Sequence, residues 1–164
     1  MGGATDFARL ILACEFFGPY CLIGGLAVNG YVEPVYTLDA EIAAIAASLP
    51  DLTEYLNEQG FKTEALTHSV NVLAPGSQLR IQFTTDERYQ AFPARSVEAE
   101  VLGVRAKVAC LEDVTQGKLW AYSDPRRRLS QRKKDELDLI RLAAAYPQLA
   151  SLYPVELRAQ LDRG

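Results

Sequence analysis

The spacing of apolar positions changes character several times along the chain, and each change predicts an element. Phe7, Leu10, Ile11 and Cys14 recur at intervals of three and four, which predicts a helix over Asp6 to Phe17, ended by Gly18-Pro19. Tyr20 to Ile23 is a short unbroken apolar run closed by Gly24-Gly25, the pattern of a buried strand entering a tight turn, and Leu26-Ala27-Val28 predicts a short helix after it. Thr37 to Ile42 reads as extended and is followed by an alanine-rich connection. Pro50 to Gln59 predicts a second core helix, with Asp51 and Glu54 near its start, Leu52, Tyr55 and Leu56 along one stripe, and Gly60 after its end.

From Phe61 to Phe83 the pattern shifts to short segments rich in β-branched and aromatic residues. Pro75-Gly76 marks a hairpin turn between Val70 to Leu73 and Leu79 to Phe83, and a second pair, Ser96 to Leu102 and Val104 to Ala109, meets at Gly103. Leu111 to Tyr122 and Ser130 to Tyr146 predict longer helices, with a short one after Pro154. The expectation is an α/β (α+β) protein with a mixed β-sheet of five or six strands flanked by helices. Residues 1–122 form the core, and residues 123–164 form a C-terminal helical segment packed on it within one domain.

Composition supports a single compact unit: 164 residues, 49% of them apolar, suffice for one real core. A formal net charge of −4 argues against a protein that coats nucleic acid through a broadly basic surface. The charge is nevertheless polarised. Arg126, Arg127, Arg128, Arg132, Lys133 and Lys134 carry six positive charges, and subtracting them from −4 leaves −10 on the rest. Ser130 is a suitable N-cap for the helix that follows, yet three of these cations occupy its first turn, where the helix dipole favours negative charge. Such a turn either faces an anion, whether nucleotide phosphate, RNA, an acidic protein or the carboxylates of Asp135 and Asp138, or it is a screened surface cluster. Cys14, Cys21 and Cys110 show no metal-site or disulfide spacing. No apolar run approaches the roughly 20 residues that span a bilayer. The expectation is a soluble cytoplasmic protein.

The candidate chemistry lies between Cys21 and Ile42. Glycines at a strand-to-helix turn let an anion approach backbone N–H groups without a Cβ in the way. Asp39 and Glu41 are two residues apart, so on an extended segment both carboxylates project from one face. Magnesium takes one or two carboxylates together with substrate phosphates. If the segment were helical instead, the two acids would diverge.

This order of features resembles the nucleotidyltransferase superfamily related to DNA polymerase beta, especially small bacterial members of the abortive-infection toxin type. Gly24, Gly25, Asp39 and Glu41 follow the family's Gly-Gly turn and Asp-x-Glu strand. Leu111-Glu112-Asp113-Val114 with Lys118 resembles the helix after the core sheet, and Arg132-Lys133-Lys134-Asp135 with Asp138 resembles the C-terminal Arg-x-x-Lys-Asp-type helix. The resemblance implies Mg²⁺ or Mn²⁺ held by Asp39 and Glu41, NTP phosphates at Gly24 and Gly25, and Lys118 or Lys134 against the leaving pyrophosphate. It also implies a possible toxin-antitoxin setting.

One position departs from the family. Where a third carboxylate belongs on a later core strand, Leu79-Arg80-Ile81-Gln82-Phe83 carries Gln82, which can offer a carbonyl oxygen to metal but has neither charge nor basicity. Asp86 or Glu87 is a possible substitute from a nearby loop. Two functions follow. One is Mg-dependent transfer of a nucleoside monophosphate from NTP to a hydroxyl on RNA, protein or a small molecule. The other is a catalytically degenerate binding or interaction protein on the same fold. Trp120 and Tyr122 are either packing residues or platforms for a base, and the lone His68 is read as structural.

Overall fold

The computed structural model describes residues 2–164, with side chains from Thr5 onward. The chain runs α1 (Gly2–Phe17), β1 (Tyr20–Ile23), α2 (Gly24–Val28), β2 (Asp39–Ala44), α3 (Leu49–Glu58), β3 (Lys62–Ala65), β4 (Ser69–Leu73), β5 (Arg80–Thr84), β6 (Val97–Val101), β7 (Val104–Val108), α4 (Leu111–Ser123), α5 (Leu129–Ala145) and α6 (Val155–Arg163), with three short 3-10 turns between. All strands join one seven-stranded sheet in the order β3-β4-β5-β2-β1-β7-β6. The β2–β5 and β1–β7 pairs are parallel, and the other pairs are antiparallel.

The count exceeds the expected five or six because Lys62–Ala65 is a strand of its own. Only one of its four residues is even half-buried, so it offers no apolar alternation to read, and backbone pairing with β4 alone places it. The alanine-rich connection also proves different: Ala43 and Ala44 belong to β2 and are buried. Helix α5 begins at Leu129 with Arg128 as its cap residue, so Ser130 lies inside the first turn rather than at the N-cap.

Alternation along β2 and β5 separates two faces. Ala40, Ile42, Ile81 and Phe83 are fully buried and join one apolar core with Phe7 and Leu10 of α1 and Leu52 and Leu56 of α3. Burying each such large side chain is worth roughly 1.5–3 kcal/mol, which fixes the register because a one-residue slip would expose the whole set. The other face carries Asp39, Glu41, Arg80 and Gln82. Helices α4 and α5 cover part of it and leave the rest open.

Tyr20 ties the layers together. Its hydroxyl donates to Glu15 of α1 at 2.6 Å and accepts from the Lys107 backbone of β7 at 3.1 Å. Burial and the bond to Glu15 push its phenol pKa well up. No described helix is long and apolar enough to cross a membrane.

Candidate active site

Glu41 stands where two constraints meet. In register it lies opposite Ile23 of β1 on one side and Gln82 of β5 on the other, and Gln82 lies opposite Asn71 of β4, so a polar row crosses the sheet. At the end of β1 the chain turns at Gly24 with φ of +68°, and a Cβ there would collide with the Glu41 carboxylate. Glycine is needed at position 24 both for the backbone conformation and for the space the acid occupies. Gly25 is open: the nearest atom to an added Cβ is Asp138 Oδ2, at 4.0 Å. The five-residue α2 that follows has no side-chain cap at its start.

Asp39 projects from the same face, opposite Arg80. The Arg80 guanidinium donates to its Oδ1 at 2.7 Å, which raises the arginine's pKa further. Gln82 donates its amide to Asn71 at 3.2 Å, so its carbonyl oxygen is the end left for another partner. Glu41 makes no ion pair among the described residues, since the cations around it are engaged elsewhere: Arg80 with Asp39, Lys118 with Asp135 and Asp138, and Arg127 with Asp135.

Those last contacts form a buried network behind the site. Lys118 of α4 is 7% exposed and reaches Asp135 at 3.0 Å and Asp138 at 2.9 Å on α5. Arg127 donates to Asp135 at 2.6 Å, and Arg141 to Asp138 at 2.7 Å. Burial alone would lower the Lys118 pKa, but the carboxylates of Asp138, Asp135 and Glu41 outweigh it and leave the ammonium firmly charged. Its charge is thus already matched by two aspartates, and the tie between Asp135 and Lys118 is structural as well as electrostatic. Lys134, by contrast, is exposed on α5 and lines the cleft.

Three openings share Glu41. A small cavity of ≈ 140 Å³ lies between the sheet and α4, lined by Gly24, Gln82, Tyr89 and Lys118 among others. A cleft of ≈ 420 Å³ runs toward α5 and the loop before β2. A third of ≈ 810 Å³ opens over β5, β4 and β3. Tyr89, pressed against Gly117 of α4, has its phenol pushed up to about 12 by burial.

The structure therefore brings Gly24, Gly25, Asp39, Glu41, Gln82, Lys118 and Lys134 to neighbouring openings that all share Glu41. It places other expected contributors elsewhere. Asp86 is held by Arg88 in a neighbouring cleft, Glu87 lies exposed in the adjoining 3-10 turn, and His68 is exposed in the turn before β4. Trp120 is stacked on Phe92 at 6.1 Å and capped by Arg88 at 4.7 Å, so its ring is a packing element. The basic run splits around α5: Arg127 turns inward, Lys133 pairs with Glu136, and Arg126 pairs with Asp124. Arg80 and Arg141 were not singled out by sequence reasoning. Only the β2–β5 register, which no local pattern encodes, sets Arg80 against Asp39.

No group of three or more His, Cys, Asp or Glu side chains forms a ready-made metal cage among the described residues. The donor set fits a divalent ion shared with substrate phosphates: two carboxylates on one face, one of them unpaired, with a neutral amide oxygen beside them.

No family model and no curated protein matches the chain. Solved structures do. The crystal structure of ANT(2'')-Ia in complex with adenylyl-2''-tobramycin superposes with a TM-score of 0.64 over 99% of this chain and 98% of that one, at 15% identity. The lincosamide antibiotic adenylyltransferase LnuA, in its lincomycin-bound form, gives 0.59 over 88% and 98%, at 13% identity. This chain has the nucleotidyltransferase fold. An antigenic nucleotidyltransferase-like protein from Paracoccidioides brasiliensis shares it at a TM-score of 0.52, covering 98% of this chain and 92% of that one, at 17% identity. In this nucleotidyltransferase fold, Asp39 and Glu41 occupy β2, the central strand of the seven, fourth from either edge and flanked by β5 and β1.

Proposed function

We propose that the chain binds Mg·NTP at the Glu41 hollow and transfers a nucleoside monophosphate to a hydroxyl acceptor. The observation that carries this reading is Glu41 itself: a carboxylate without an ion-pair partner among the described residues, held beside a glycine turn and next to Asp39 on the same face. Asp39 and Glu41 would hold Mg²⁺ or Mn²⁺, which when bound would neutralise phosphate charge and help orient the reacting groups. Gly25 leaves room for a phosphate near the backbone, and Lys134 and Arg80 are exposed cations on the same cleft. In the transfer, the acceptor hydroxyl oxygen bonds to the α-phosphorus and gives its proton to solvent water, the bond from that phosphorus to the β-phosphate oxygen breaks, and pyrophosphate leaves. Lys118 contributes by fixing α4 to α5 and by its field, because its own contacts are filled by aspartates.

Gln82 cannot take the acceptor proton, and this together with the Arg80–Asp39 pair favours a second reading: a binding protein that holds a nucleotide without turning it over. Acceptor identity, whether RNA, protein or small molecule, and any toxin-antitoxin role belong to the first reading. A screen for transfer of labelled nucleotide from each NTP to these acceptor classes, with Mg²⁺ and Mn²⁺, separates the two. Transfer that disappears in the Asp39→Ala, Glu41→Ala double variant supports the enzyme. Nucleotide binding without transfer in any combination supports the binding protein.

A further inference from the structure

The ≈ 420 Å³ cleft is lined by two unlike kinds of side chain. One set is ionic and includes Asp39, Glu41, Arg80 and Lys134. The other is apolar: Val35 and Tyr36 on the loop before β2 are 49% and 82% exposed, and Leu137 of α5 is 51% exposed. Single exposed apolar side chains are ordinary on a protein surface, but three lining the same charged cleft make it amphipathic.

The loop that presents them is held in place. Asn29 donates to the Val35 carbonyl at 2.8 Å and accepts from the Val35 N–H at 3.0 Å. Arg141 donates to the Glu33 carbonyl at 2.6 Å and to Asn29 at 3.2 Å while its other nitrogen holds Asp138. The backbone at Glu33 and Val35, next to Tyr36, is thus held by Arg141 of α5 and by Asn29 at the end of α2, whereas the Tyr36 ring has no polar partner among the described residues and is exposed. Holding the backbone beside an uncovered aromatic ring keeps that ring at the cleft and lowers the ordering cost of a flat partner.

We propose that Tyr36, with Leu137 lining the same cleft, is the nucleobase contact of this site; the proposal rests on the nucleotide-binding reading above. A nucleoside triphosphate has the matching polarity, a flat ring at one end and a polyanion at the other. The hollow also falls within the roughly 300–1,000 Å³ common for small-molecule sites. Stacking on an aromatic side chain tolerates every base, so Tyr36 contributes affinity for nucleotides as a class, and the discrimination among bases must come from other groups.

The test compares two probes by calorimetry, Mg·NTP for each of the four bases and Mg·tripolyphosphate, which has the anion but no base. Tyr36→Ala is expected to weaken the tightest NTP by about tenfold or more, in line with measured stacking contributions, and to leave tripolyphosphate unchanged. Tyr36→Phe should retain NTP binding, because the ring and not the hydroxyl makes the contact. Glu41→Gln should weaken both probes alike. Equal losses for both probes in Tyr36→Ala, or no loss for NTP, would overturn the assignment while leaving the nucleotide site standing. A native chain that binds neither probe would remove the site and the assignment together. Tyr36 is exposed, so an unchanged unfolding midpoint is expected for both substitutions.

Discussion

Two sets of charges share the walls of one hollow, and the fold treats them in opposite ways. Between α4 and α5, Lys118, Asp135 and Asp138 are buried, Arg127 and Arg141 close the cluster, and every charge has a named partner within 3.0 Å. On the sheet face a few residues away, Asp39 has one exposed arginine, Glu41 has no ion pair among the described residues, and Gln82 has no charge at all. The contrast follows from solvent. A buried charge without a partner is costly, so each member of the interior set is paired. A charge that water can reach may stay unpaired, and it is then available to whatever ligand brings the opposite sign. Sequence alone would group Lys118 with the ligand contacts, since a lysine near a phosphate site is a natural candidate. Its geometry moves it to the interior set.

The sharpest way to break this contrast is Asp135→Ala. It removes the carboxylate that Lys118 and Arg127 share, and loss of one partner from a buried pair typically costs about 3–5 kcal/mol. Urea unfolding should show a loss of this size. A loss below about 1 kcal/mol, the usual range of surface pairs, would mean that the network is solvated after all.

Gly24→Ala comes next, because it acts on the boundary between the two sets. A residue other than glycine at φ of +68° is strained, and the new methyl would push against the Glu41 carboxylate. Destabilisation of more than about 1 kcal/mol is expected, accompanied by weaker Mg·NTP binding as Glu41 is displaced. Native affinity in a folded Gly24→Ala variant would separate the glycine from the function of the acid.

Arg80→Ala sharpens the comparison from the open side. Its guanidinium competes for Asp39, so its removal should tighten binding of Mg²⁺ in the absence of nucleotide while leaving the unfolding midpoint where it was. If metal affinity fell instead, Arg80 would be a supporting residue of the site and not a competitor.

The smallest effect is on pH. Lys118 has its pKa raised in the folded state and Tyr20 does too, so each bears its proton more tightly folded than unfolded. Their stabilising contribution is complete below the unfolded values, about 10.4 for lysine and 10 for tyrosine, and is lost only as pH rises beyond them. Unfolding midpoints should therefore hide this contribution from pH 7 to about 9.5 and fall above about 10. Loss of stability from this pair beginning near neutral pH would contradict the assignment of Lys118 to a carboxylate-rich interior.

The contrast also explains what could be read from the chain and what could not. Strand β1 at Tyr20–Ile23, the extended run that carries Asp39 and Glu41, the β4–β5 hairpin and helices α4 and α5 were all legible, because each has a local signature: an apolar run, an alternation, a Pro-Gly turn, a helical stripe. Strand β3 lacks one, with its mostly exposed side chains, and Ala43-Ala44 have no β-branched or alternating pattern that extends the strand to them, although both are buried in β2. At the site, the acids, the glycines and the missing third carboxylate at Gln82 are visible in order along the sequence. The partners are not, because Arg80 meets Asp39 through 41 residues of separation and Arg141 meets Asn29 through 112. Long-range pairing depends on register and helix docking, which sequence spacing does not carry.

The central claim is that the open carboxylates, not the buried ones, receive the ligand. Titration calorimetry of the native chain and of the Asp39→Ala, Glu41→Ala double variant with each Mg·NTP tests it most directly. The account predicts saturable binding of at least one nucleotide by the native chain and its loss in a double variant that remains folded. Silence from the native chain with all four nucleotides, or undiminished binding after both acids are removed, would contradict it.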